Sequence, residues 1–349
     1  MNKYVSVAII VILILIVAVP GFLYLNYQQR LQSVDPYSNT KVYFKIEQGM
    51  SAKEVAQLLK EKDLISDEAT FYIYGRISNK SGDIQAGDFE LSKDKSIPEI
   101  YDALQKPVDT EITVTIPEGL RGDEIAETLN QAFQSKAGTE NKFVKGDFID
   151  LVYNDPAQFK KDYPFLEKAL NLEGFLYPDS YKFFVDATAE DVVVKLLDTF
   201  NTKVYAVTKD LKNPYFPAHF GYYEVINLAS IVEREGINKA ERTEIASILL
   251  NRLNGKLDGI LLLQADATLL YEKKTWILNS GDNLDKTSDS AYNTYKNPGL
   301  PPTPICNPGS ESILATFAAT ESPYLYYQHK NGKFLEAKTL SEHYYYLNN

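Results

Sequence analysis

The chain has 349 residues, 44% of them hydrophobic and 24% charged, which excludes a disordered chain and leaves room for two or three domains. Its net charge of −11 argues against a nucleic-acid partner, because phosphate contacts need a basic face. Cys306 is the only cysteine, so no intrachain disulfide forms, and His219, His329 and His343 stand far apart in sequence without ligand spacing. No metal and no cofactor is expected.

Residues 4–25 carry no charged side chain, and residues 9–17 are all Ile, Val or Leu. A helix rises 1.5 Å per residue and crosses a bilayer core in about 20 apolar residues. Pro20-Gly21 falls near the far end, and Tyr24 and Tyr27 stand where an aromatic belt is expected. The apolar run is too long for a signal peptide, and no clear small-x-small cleavage site follows it. Residues 1–29 are therefore expected to be a single-pass transmembrane anchor. The short amino-terminal tail favours the amino terminus inside. Residues 30–41, with Ser33, Pro36, Ser38 and Asn39, read as a linker.

Residues 42–46 form a strand candidate, and Gly49 turns the chain. Ser51 with Glu54 reads as a capping box, and Val55, Leu58 and Leu59 give the apolar stripe of a helix. Residues 88–91 read as another strand, and Ile97, Ile100, Tyr101 and Leu104 share a helical face. The first pattern returns at 112–129. Ile112, Val114 and Ile116 alternate, Gly119 matches Gly49, and Glu124, Ile125, Ala126 and Leu129 match Glu54, Val55, Ala56 and Leu59. Such strand–turn–helix units bury little core alone, and they resemble LysM-like glycan-binding modules. The competing reading is coincidence between two αβ units.

Residues 144–153 and 156–170 read as helical. Residues 172–181 are dense in Gly, Pro and aromatics and read as loop. Residues 192–205 form an amphipathic helix. Residues 324–329 and 333–338 flank Asn331-Gly332, a strong hairpin signal, and 341–347 close the chain as a helix.

Candidate chemistry gathers at the end of a helix that begins near Tyr222 and carries Glu233-Arg234-Glu235-Gly236. Leu228, Ile231, Val232 and Glu235 share a face, and Glu233 points roughly the other way. A carboxyl ending an apolar stripe is partly desolvated, which raises its pKa and suits it to general-acid work. Alternatively, both glutamates are solvated or pair with Arg234 or Arg242. Asn238 with Glu241 starts a second helix that carries Asn251-Arg252-Leu253. Leu263-Gln264-Ala265-Asp266-Ala267-Thr268, residues 291–295 and the Pro-rich stretch 299–309 follow.

Glu173-Gly174-Phe175-Leu176-Tyr177-Pro178-Asp179-Ser180-Tyr181, the Glu233-Arg234-Glu235 helix end and Asn251-Arg252-Leu253 resemble the endolytic murein transglycosylase family, the YceG-like proteins. So do Leu263-Gln264 with Asp266 and Thr268, Tyr292-Asn293-Thr294-Tyr295, and Gly299 to Gly309. The resemblance covers essentially the whole chain, with two departures. Ala267 stands where the family usually has proline, and Cys306 occupies a variable position before Asn307-Pro308-Gly309.

The resemblance implies non-hydrolytic cleavage between N-acetylmuramic acid and N-acetylglucosamine in nascent peptidoglycan strands, leaving 1,6-anhydro ends. One carboxyl then serves as both acid and base. Glu235 is assigned that role over Glu233, because its face continues the apolar stripe. Gln264, Asp266, Thr268, Tyr292, Asn293 and Tyr295 are expected to line the sugar groove. Expected partners are glycan strands, the membrane and wall-synthesising enzymes, with the catalytic part on the extracytoplasmic side. Two readings compete. A hydrolase would need a second carboxylate, Asp266 or Asp179, to activate water, and a wall-binding scaffold would need neither. The expected architecture is α+β: the anchor, a LysM-like module at 42–110, and a mixed catalytic domain at 111–349 ending in the hairpin.

Overall fold

The computed structural model describes residues 3–108, 111–135, 141–278 and 283–348, with side chains described from residue 16 onward. The chain divides into two compact units. One comprises residues 1–111 with 184–186, the other residues 112–183 with 187–349.

The first unit opens with helix α1, Lys3–Arg30. The expected anchor falls largely on side chains outside the described residues. Among the described residues no helix is long and apolar enough to cross a membrane. Strand β1, Lys41–Ile46, leads to helices α2, Ala52–Glu61, and α3, Glu68–Ile77. Strand β2, Gly87–Ser92, then pairs antiparallel with β1, with Phe44 opposite Phe89, and helix α4, Ile97–Ala103, closes the unit. Helices α2, α3 and α4 each start where the chain supplies a cap: Ser51 with Glu54, Asp67 on the Thr70 amide, and Ser96 with Glu99. The core gathers Phe44, Val55, Leu59, Phe71, Phe89, Ile100 and Tyr101, all at most 2% exposed. The Tyr101 ring stacks on Phe71 at 4.3 Å, and its hydroxyl donates to the Phe71 carbonyl.

The second unit holds strand β3, Glu111–Thr115, apart from Glu111, helices α5, Gly122–Ser135, and α6, Lys145–Tyr153, and strand β4, Ser180–Phe184, apart from Phe184; β4 pairs with β3. The turn ahead of α5 repeats the turn ahead of α2. Gly49 and Gly119 both take positive φ, +92° and +79°. Glu54 accepts the Ser51 amide at 2.7 Å, and Glu124 accepts the Arg121 amide at 2.9 Å. Residues 156–170, expected as one helix, form instead two short 3-10 turns, Pro156–Phe159 and Pro164–Leu166. Pro164 has no amide hydrogen, and its ring pushes Tyr163 into extended backbone, so the helix cannot run through.

Helix α7, Ala189–Phe200, runs through a wide turn, Asn201–Tyr205, into the short helix α8, Ala206–Thr208. Helices α9, Tyr222–Glu235, and α10, Lys239–Leu253, pack with helix α12, Ser310–Ala318. Between them in sequence lies helix α11, Asp266–Glu272, whose first turn contains Ala267. Ala267, where the family usually has proline, thus sits in a helix. Strands β5, Tyr326–Lys330, and β6, Lys333–Ala337, make the hairpin, and Asn331 and Gly332 both take positive φ. Helix α13, Leu340–Asn348, then lies on that hairpin. Leu228, Ile231, Val232, Ile245, Leu249, Leu263 and Ile305 share one core, each fully buried.

Candidate functional site

Helix α9 ends at Glu235 because Gly236 turns out of the helix and Asn238 at once caps α10. A side chain at Gly236 would press on the Arg242 backbone, so glycine lets the two helices meet closely. This sharp junction places the Glu235 carboxyl at the wall of a cavity of about 760 Å³. The same cavity is lined by Arg252, Gln264, Asp266, Lys286, Tyr295 and Tyr327.

Glu235 is partly exposed to the cavity, yet protein atoms crowd its carboxyl closely. That burial, followed by the nearby Asp266, pushes its pKa above the usual glutamate value. Its place at the carboxyl end of α9 acts in the same direction, since the helix dipole is negative there. Three groups oppose the rise. The Ala267 amide in the first turn of α11 and the Tyr327 hydroxyl stand poised to donate to the carboxyl and favour its charged form, and Arg252 attracts it. Arg252 is 5% exposed. It is held by Nε donating to the Leu325 carbonyl at 2.9 Å and by a bond to the Leu263 carbonyl. A carboxyl so placed can give a proton to a bound oxygen and take one back.

Glu233 has other commitments. Its Oε1 accepts from Arg242 at 3.0 Å, and its Oε2 accepts the Gly309 amide at 2.9 Å, at the start of α12. With the side chain 5% exposed, it ties the end of α9 to α10 and α12. Between the two glutamates Arg234 turns away. Its guanidinium lies 3.9 Å from the Trp276 ring centre, and it donates to the Gly119 carbonyl.

Three of the six expected groove residues reach the cavity. Gln264 lines it with a left-handed backbone, φ +53°, its amide held by the Thr294 carbonyl. Asp266 accepts from the Tyr295 hydroxyl at 2.6 Å and pairs with Lys286 at 3.2 Å, while Lys286 also donates to Tyr295. The other three lie elsewhere. Thr268 is fully buried, donating to the Ala265 carbonyl and meeting Thr294. Asn293 is fully buried, with its side-chain amide spent on the Lys286 and Ser288 carbonyls. Tyr292 meets Thr303 and lines a separate cavity of about 320 Å³ with Tyr153 and Tyr271. Their polar atoms hold the 285–296 loop and α11 in place, which is why a pattern of groove-like residue types misassigned them.

Asp179, weighed as a second carboxylate, pairs with Lys203 and takes the Ser180 amide, and it is absent from the cavity lining. Glu173, seen before only as part of a motif, is a buried hub. Its carboxylate accepts the Gly122 amide, the Tyr153 hydroxyl at 2.7 Å and the Asn307 side chain at 2.8 Å. Asn307 in turn accepts the Gly174 and Leu176 amides. Burial outweighs these donors and pushes the Glu173 pKa up to about 7.

Tyr327 escaped the sequence reading because it reaches Glu235 only through the hairpin, far along the chain. His329 and His343 were set aside as distant, but the hairpin and α13 bring both to the cavity wall. Among the described residues, no group of three or more His, Cys, Asp or Glu is arranged to hold a metal ion.

Known proteins share this arrangement of sequence and fold. A model of the YceG-like family matches residues 44–348. The chain is 32% identical over 338 residues to the endolytic murein transglycosylase of Bacillus subtilis, covering 93% of this chain and 88% of that protein. It is 28% identical to the protein of the same name from Streptococcus pneumoniae, of whose length it spans 57%. A crystal structure of a YceG-like protein from Listeria monocytogenes superposes with a TM-score of 0.58 at 29% identity, covering 88% of this chain and 99% of that one. The chain belongs to the YceG-like family.

Proposed function

We propose that this chain is an endolytic lytic transglycosylase of peptidoglycan, with Glu235 as its single acid/base. The observation that carries the reading is the contrast within one helix end. The Glu233 carboxylate is spent on Arg242 and the Gly309 amide, while Glu235 opens on the cavity with its pKa raised. The names of the two curated relatives support the same substrate class.

In the reaction, Glu235 gives its proton to the oxygen joining the anomeric carbon of N-acetylmuramic acid to N-acetylglucosamine. The carbon–oxygen bond breaks, and the N-acetylglucosamine side leaves with its hydroxyl. The muramic 6-hydroxyl oxygen then bonds the anomeric carbon, and its proton returns to Glu235. No water is consumed, and the acid is regenerated. The Tyr327 hydroxyl and Ala267 amide steady the carboxylate between these two proton transfers. A two-carboxylate hydrolase is less well served, since Asp266 is already held by Tyr295 and Lys286.

The proposal extends to the amino-terminal part. The uncharged run 4–25 lies within α1, which supports a single membrane anchor that confines cutting to glycan near the extracytoplasmic membrane face. The order β1, α2, α3, β2 with an antiparallel pair supports a LysM-like module. Work on newly made strands would place the protein beside wall synthases.

The deciding experiment incubates the full chain in detergent, wild type and Glu235→Gln, with uncrosslinked glycan strands and reads the chain ends by mass spectrometry. Anhydro ends from wild type and none from Glu235→Gln are expected. Reducing ends would make the protein a hydrolase. No cleavage by wild type would leave a wall-binding scaffold. Cleavage by Glu235→Gln at the wild-type rate would move the acid elsewhere.

A further inference from the structure

The cavity beside Glu235 has a second wall, built by α13 and the hairpin face that carries it, and apart from Tyr327 the hairpin takes no part in the reaction just described. Leu340, His343, Tyr344 and Leu347 line it, spaced so that they share one face of α13. Leu340, Tyr344 and Leu347 are 46%, 54% and 49% exposed, so this apolar stripe lies open on the cavity. The His343 ring stacks on Tyr326 with centres 5.5 Å apart.

Gln328 lies in the same wall. It follows Tyr326 by two residues on β5, so the two side chains share the hairpin face that carries α13. Both amide atoms of Gln328 are buried, and neither has a hydrogen-bond partner among the described residues. The same is true of His343 Nδ1. Buried polar groups nearly always find partners, so three orphans in one cavity wall need an explanation. A primary amide offers both a donor and an acceptor. The complementary ligand presents one acceptor and one donor side by side, beside an apolar face. An acetamido group on a pyranose ring has that form.

We infer that Gln328 and His343, roofed by α13, form a subsite that recognises the acetamido group of an N-acetylated amino sugar. The Gln328 side chain closes two hydrogen bonds with the acetamido carbonyl and amide, His343 Nδ1 meets a neighbouring sugar polar atom, and Tyr344 packs on the ring. The three orphan atoms are covered in this structure, so entry requires α13 to lift. That motion is cheap. No residue of α13 is buried, Thr339 and Glu342 cap its own start, and Lys330 holds the Tyr346 and Leu347 carbonyls at its end. The subsite names the substrate feature read in the cavity that Glu235 lines, and in that respect it rests on the proposed function.

The test measures binding, not cleavage. The full chain in detergent is titrated calorimetrically with the β-1,4-linked tetramer of N-acetylglucosamine and with the same tetramer stripped of its acetyl groups. Wild type should prefer the acetylated tetramer, and Gln328→Leu should lower that preference about tenfold. Both side chains are uncharged, so the attraction of the acidic cavity for free amines cancels in the comparison. The melting temperature of Gln328→Leu should hold or rise, because an unpaired amide is replaced by an apolar group. The inference is overturned if wild type binds both tetramers equally or neither, or if Gln328→Leu keeps the preference. A lower melting temperature would also overturn it, by revealing a protein partner for the amide. If glycan ends prove reducing while the preference behaves as expected, the transglycosylase reading fails and the subsite stands. If anhydro ends form and Gln328→Leu keeps the preference, only the subsite fails.

Discussion

Removing one oxygen atom from Tyr327 tests the electrostatics of the site most directly. In the wild type, burial and Asp266 disfavour the Glu235 carboxylate, while the Tyr327 hydroxyl, the Ala267 amide and Arg252 favour it. Tyr327→Phe keeps the ring packed against Phe334 and deletes one donor to the charged form. A hydrogen bond to a charged acceptor contributes about 1.5–3 kcal/mol. Because 1.36 kcal/mol is a factor of ten in a proton equilibrium, the loss makes Glu235 hold its proton about one to two pH units further up the scale. The free enzyme needs Glu235 protonated to start the reaction, so kcat/KM falls as pH rises through its pKa. The assay is the pH dependence of kcat/KM for release of anhydro-ended fragments by the full chain. The alkaline limb should move up by about one to two pH units in Tyr327→Phe. A limb that stays in place, or moves down, would refute the claim that this hydroxyl supports the carboxylate of the catalytic acid.

Ala267→Pro should move the same limb in the same direction by at least as much, since it deletes one amide donor at a first-turn position where proline is tolerated; an unmoved limb would count against the Ala267 contact. Glu233→Gln should lower stability to chemical denaturation by about 1.5–3 kcal/mol, because Arg242 loses its buried charged partner, while anhydro-end formation by the folded protein persists. A fully inactive, fully stable Glu233→Gln would reverse the assignment of the pair. Glu173 gives a pH-dependent stability. Its folded pKa of about 7 stands above 4.5, so the folded state binds the proton more tightly and stability is lost as pH rises from about 4.5 to about 7. Wild type measured against Glu173→Gln should lose about 3 kcal/mol across that window, and a flat difference would show that the hub stays ionised throughout.

Local patterns made much of this fold readable. The caps at Ser51, Asn238 and Glu124, the Asn331-Gly332 hairpin and the end of α9 at Gly236 are each written in a few neighbouring residues. The different environments of Glu233 and Glu235 were half legible. Helical spacing separates their faces, but only the arrival of Gly309 and Arg242 from elsewhere shows which carboxylate is occupied. Thr268 and Asn293 look like groove residues in sequence because the groups that bind sugars also bind backbone carbonyls. Their partners, Ala265, Lys286 and Ser288, decide the matter. Tyr327 and Gln328 carried no signal at all, since nothing in a hairpin's alternation says what lies above either face.

The junction of α9 and α10 also constrains how such chains can change length. Glu233 and Glu235 sit about 200° apart around the helix axis, one turned to its clamp and the other to the cavity. A single residue inserted early in α9 would rotate both by about 100° and leave neither in its place. Gain or loss near this helix is therefore tolerated only in nearly whole turns, or outside its ends. The stretch between α10 and α11 and the loop after α11 carry no such phase, so variation in length among related chains should collect there.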